Sequence, residues 1–141
     1  MLKKILAALC FSLILLNSIS VNAVEGKYVQ IFDPKQNKVV KAVEVNPQIR
    51  NIVMNWMSNI QGIQGKIDPI TDDGYAVKVP LDPEVKVNSK WLNANVHEVY
   101  ILIPEKERPF LGIFINENRI IYFTFDGDID MLSKSLDFKL K

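Results

Sequence analysis

The chain has 141 residues, with 17 Lys and Arg, 16 Asp and Glu, one His and one Cys, and a formal net charge of +1 at pH 7. That length suits one domain with room for a true core, and the near balance of charge denies the domain as a whole the footprint of a nucleic-acid or anionic-membrane binder. A single Cys rules out a disulfide framework within the chain and a thiolate metal cluster.

The first residues read as a secretory leader. Lys3 and Lys4 form a positive start, Ile5 to Leu16 an apolar run broken by Ser12, and Val21-Asn22-Ala23 a cleavage site. The apolar run is shorter than the roughly 20 residues a spanning helix needs. Cys10 sits inside that run behind Leu9, which is not the place of a lipid-modified Cys. Cleavage after Ala23 divides the chain into residues 1–23, a signal peptide, and residues 24–141, a single domain without Cys. Without Lys3 and Lys4 the mature part carries 15 basic against 16 acidic side chains. The expected location is secreted or cell envelope, with no stable membrane insertion after cleavage and no nucleic-acid partner.

In chain order, "YVQIF" (Tyr28 to Phe32) and "VVKAVEV" (Val39 to Val45) predict a hairpin around the turn "DPKQNK". A helix follows from Pro47 to Ile60. Asn46 caps it, Pro47 suits its first position, and Ile49, Ile52, Val53, Trp56, Met57 and Ile60 form one stripe, with Gly62 as the stop. The stripe is a core face rather than a binding face. A loop with a short strand near Ile67 leads to "YAVKVPL", whose alternation predicts a half-buried strand, placed at a sheet edge because Pro80 cannot donate to a ladder. Val85 and Val87 repeat the alternation, and Trp91 is expected to plug the rim of the core. "EVYILI" (Glu98 to Ile103), "FLGIFI" (Phe110 to Ile115) and "RIIYFTF" (Arg119 to Phe125) make a three-stranded meander, apolar on both faces.

The expected fold is therefore α+β: a mostly antiparallel sheet of five to seven strands, one long helix packed on a face, and a short C-terminal helix. The second sheet face needs cover from that C-terminal helix, the first hairpin or another molecule. A protein partner, or self-association through an apolar sheet face, is one way to supply it.

Three places invite chemistry. Asp126, Asp128 and Asp130 alternate as the first ligands of a calcium loop do and are the metal candidates of this sequence. The remaining loop positions fail: Met131 stands where the sharp-turn Gly belongs, and Lys134 and Asp137 occupy later ligand places. Asp128 as helix cap, with Asp130 in the first turn, explains more of these residues, so no metal or other cofactor is assigned. His97 lacks the further N or S ligands of a zinc site, and no Ser stands in a G-x-S-x-G turn. Paired acids such as Glu105, Glu107, Asp72 and Asp126 could hydrolyse glycosides, but they occupy ordinary loops. No catalytic residue is assigned. The leading expectation is a binding or interaction module using the meander and the loops Lys66–Gly74, Pro83–Asn95 and Pro104–Pro109. The alternative is a small extracytoplasmic hydrolase or metal-dependent enzyme using His97 and loop carboxylates.

Through "YVQIFD", "VPLDPEVKV", "WLNANVHEVYILIPE" and "YFTFDGDID", the mature region resembles a group of short exported proteins of unknown function from Gram-positive spore-forming bacteria. The resemblance implies an extracytoplasmic destination and carries over no ligand or catalytic residue.

Overall fold

The computed structural model describes residues 26–65, 69 and 71–141. The leader and the expected strand near Ile67 lie outside the described residues. In chain order the elements are β1 (Tyr28–Asp33), β2 (Lys38–Glu44), α1 (Pro47–Ser58), β3 (Ile60–Ile63), β4 (Tyr75–Asn88), β5 (Asn93–Ile103), β6 (Phe110–Asn116), β7 (Arg119–Phe125) and α2 (Ile129–Leu136). The strands form one antiparallel sheet of order β2-β1-β4-β5-β6-β7-β3. This is the α+β architecture that the alternation predicts, at seven strands.

Local chemistry sets the turns. In the β1–β2 turn the Asp33 carboxylate accepts the Lys35 N–H at 2.9 Å and the Gln36 Nε2–H at 2.8 Å, and Asn37 takes a left-handed conformation at φ 54°. Asn46 caps α1 by accepting the Ile49 N–H at 2.8 Å, with Pro47 behind it. Ile49, Ile52, Val53, Trp56 and Met57 are buried, as their spacing requires.

The one long helix is not found: α1 stops after 12 residues, at Ser58. The Asn59 N–H turns back to the Trp56 carbonyl and its side chain donates to the Asn55 carbonyl, which closes the helix. Ile60 then leaves the stripe and pairs with Phe125 as the start of β3, and Gly62 pairs with Thr124 instead of ending a helix. Periodicity alone could not see this, because Ile60 suits both a helix face and a strand.

Nor is β4 an edge strand. It lies third in the sheet, between β1 and β5. Pro80 is tolerated because the β1 pairing extends only from Ala76 to Lys78, so no neighbour on that side asks for its missing N–H. Just beyond, the β4–β5 register shifts between Pro80 and Val85, at the cis Asp82–Pro83 peptide. The strand continues through Val87 to Asn88 and returns as β5, making a long hairpin whose tip is Ser89 to Leu92. Leu92, not Trp91, seals the rim of the core: Leu92 is buried and Trp91 is 39% exposed.

Both helices pack on one face of the sheet. There Val29, Ile31, Val77, Val99, Ile101, Leu111, Ile113 and Phe123 meet Ile52, Val53, Trp56, Ile129, Leu132 and Leu136. The rings of Trp56 and Phe125 lie 4.9 Å apart. Each of these large side chains adds about 1.5–3 kcal/mol by leaving water. The opposite face holds a smaller cluster of Phe32, Ala76, Tyr100, Leu102 and Phe110, so α2 does not close it and β1–β2 extends the sheet instead of folding over it. Its aromatic rings cover one another edge to face, Phe110 on Tyr122 at 5.6 Å and Tyr100 on Phe114 at 5.7 Å.

Candidate functional site

The sheet order brings four distant segments together where β4 begins. A groove of about 400 Å³ is lined by Asp33 and Lys35 from the first turn, Gly74 and Tyr75 at the start of β4, Glu105 after β5, and Lys139 to Lys141. Gly74, at φ 72°, brings the backbone against the Ile103 carbonyl, an approach that leaves no room for a side chain. After α2, Asp137 takes a left-handed conformation and its N–H bonds back to the Lys134 and Ser133 carbonyls. The chain thereby reverses, Leu140 is buried, its N–H donates to Ser133 Oγ at 3.2 Å, and Lys141 Nζ donates to the Glu107 carbonyl at 2.6 Å.

Polar contacts brace the rim. Lys35 Nζ lies 3.1 Å from Glu105 Oε1, and that hydrogen bond and charge hold the ammonium pKa above its ordinary value. Asp73 Oδ1 accepts the Glu105 N–H at 3.2 Å and the Thr71 hydroxyl at 2.9 Å, and these two bonds hold its carboxyl below the usual range. The acids at the groove are thus committed: Asp33 to its own turn, Glu105 to Lys35. Among the described residues Lys139 has no such partner. Tyr75 stacks edge-on against Phe138 at 5.1 Å and, with Leu140, gives the groove an apolar side. Small-ligand pockets are commonly lined in this way, by an apolar wall with a few polar groups around it.

Of the three expected loops, the first and third meet here, through Asp73 and Glu105. Pro83–Asn95 is the far end of the β4–β5 hairpin. His97 is there too, with Nε2 3.0 Å from Glu84 Oε2 across the register shift, and both side chains are well exposed. It lies outside the groove. The hydroxyls of Ser58, Ser89 and Ser133 bond to the backbone of Met54, Leu92 and Leu140 respectively.

Asp128 caps α2, its Oδ1 accepting the Asp130 N–H at 2.9 Å, while Asp130 occupies the first turn and the Asp126 N–H reaches the Asn59 carbonyl. Among the described residues no group of three or more His, Cys, Asp or Glu side chains gathers as a metal site.

Sequence reasoning missed two features. One is the tail "FKLK", where the apolar Leu140 between two Lys is a signal of docking. The other is Lys78, 5% exposed in the middle of the sheet, with Nζ 3.5 Å from Glu98 Oε2, which in turn lies beside an oxygen that accepts the Tyr100 hydroxyl at 3.1 Å. Its alternation with Ala76 marks it as facing away from the helices, but not as buried.

Comparison of the chain with family models, with curated proteins and with solved structures finds no match in any of the three.

Proposed function

We propose that this is a small exported binding module, acting outside the cytoplasm, whose ligand sits in the groove at the start of β4. The leader-like first 23 residues support export. The observation that carries the binding reading is the groove itself: four segments far apart in sequence converge on about 400 Å³ of accessible space, braced by Lys35–Glu105 and Asp73–Glu105 contacts. The hydrolase reading has less support, because His97 is held by Glu84 on an exposed arm away from that space.

The test is heteronuclear NMR on residues 24–141 with a panel of acidic, basic and apolar small molecules and short peptides. Shifts concentrated at Gly74, Tyr75, Glu105 and Lys139 to Lys141 are expected for at least one class. A panel that leaves these residues unmoved refutes the groove as the site.

A further inference from the structure

We propose that the tip of the β4–β5 hairpin docks the protein on anionic phospholipid bilayers. The whole-domain charge argues against such a surface, but charge is not spread evenly. From Val85 to Val96 the chain holds two Lys, Lys86 and Lys90, and no acid. Both are exposed, and among the described residues neither has an ion-pair partner. Next to Lys90, in the turn itself, stands Trp91, 39% exposed, with Lys90 Nζ 5.1 Å from its ring centroid.

The tip is presented on a firm base. Val85, Val87, Leu92 and Val96 are buried in the main core, so the arm cannot fold Trp91 inward without uncovering them. Ser89 tightens the turn, its Oγ accepting the Leu92 N–H at 3.1 Å and the Trp91 N–H at 3.3 Å. The register shift near Pro80 separates the arm from the paired body of the sheet. An indole beside ammonium groups fits the headgroup zone of a bilayer, where an amphipathic ring sits at the interface and lysines face anionic lipid. β4 runs from Tyr75 in the groove to Asn88 at the tip, roughly 40 Å of strand at about 3.3 Å per residue. The groove and the tip therefore lie at opposite ends of β4, and docking by the tip leaves the groove free. With two lysines and one aromatic, attachment is peripheral and reversible.

The test uses residues 24–141, which contain every described element, with vesicles of phosphatidylglycerol mixed into phosphatidylcholine. Trp56 is 2% exposed, so a change in emission reports Trp91. Expected is a blue shift and co-sedimentation with anionic vesicles, weakened by salt, and absent with pure phosphatidylcholine. Lys86→Ala with Lys90→Ala should weaken partitioning about 30-fold, from the worth of each lysine near a charged surface. Trp91→Phe should weaken co-sedimentation while its circular dichroism matches the parent. The proposal is overturned if anionic vesicles change neither signal, if these variants bind as the parent does, or if inorganic phosphate alone produces the shift.

Discussion

Gly74 is where the fold and the groove depend most on one missing side chain. In Gly74→Ala the new Cβ would fall inside the van der Waals envelope of the Ile103 carbonyl oxygen, 2.8 Å from its carbon and 3.0 Å from Pro104 Cα. All three are backbone atoms, so no rotamer change relieves the overlap. The left-handed conformation at φ 72° adds about 1–2 kcal/mol for a residue with a Cβ, and forcing the strands apart adds about 1–3 kcal/mol. Together these make roughly 2–5 kcal/mol, or a fall in Tm of roughly 8–20 °C at about 4 °C per kcal/mol. Thermal denaturation followed by circular dichroism measures it, with two comparisons. Gly62→Ala should be nearly neutral, since the nearest atom to its Cβ is Thr124 Oγ1 at 3.6 Å. Gly74→Asn should lose less than Gly74→Ala, because Asn tolerates the left-handed region, yet still melt below the parent because the Cβ overlap remains. A Gly74→Ala protein melting within about 2 °C of the parent, less than 1 kcal/mol on the same scale, would refute the close approach of Gly74 to the Ile103 carbonyl beside the groove.

Other outcomes follow from the same contacts. Leu132 is fully buried between α2 and the sheet, so Leu132→Ala should cost about 2–5 kcal/mol in urea denaturation, and a loss below about 1 kcal/mol would mean α2 is not docked. Asp128→Ala should cost about 1 kcal/mol and Asp128→Asn almost nothing, because Asn keeps the capping oxygen. Since that carboxylate serves the helix backbone, Tm should be the same with calcium as with a chelator; a rise of several degrees with calcium would overturn the cap assignment. The depressed pKa of Asp73 gives stability that is present above its ordinary value of 3.8 and lost as pH falls through the lower folded value. Asp73→Asn should therefore melt below the parent at neutral pH and alongside it in strong acid. A gap that persists unchanged in acid would deny the Glu105 and Thr71 hydrogen bonds their role.

How much of this was legible in the sequence differs by level. The cap at Asn46, the stripe from Ile49 to Met57, the β1–β2 turn and the meander all rest on local spacing, and each stands where spacing puts it. The end of α1 was hidden, because Ile60 satisfies helix and strand periodicity alike and only pairing with Phe125 decides between them. Pro80 misled for a related reason: the rule concerns a particular N–H and its neighbour, and β1 ends before the neighbour is needed. Trp91 and Leu92 are adjacent, so a one-residue difference in register exchanges rim and solvent. The groove could not be read in advance, since Asp33, Gly74, Glu105 and Lys139 become neighbours only through the order in which seven strands pair. Two of the loops named from the sequence, Lys66–Gly74 and Pro104–Pro109, contribute Gly74 and Glu105 to its lining.

A binding role outside the cytoplasm depends first on export. Intact mass and N-terminal sequencing of the protein recovered from a secreting host measure that directly. The account predicts a chain beginning at Val24, found in the medium or the envelope. A chain still beginning at Met1 and recovered folded from the cytosol would contradict it.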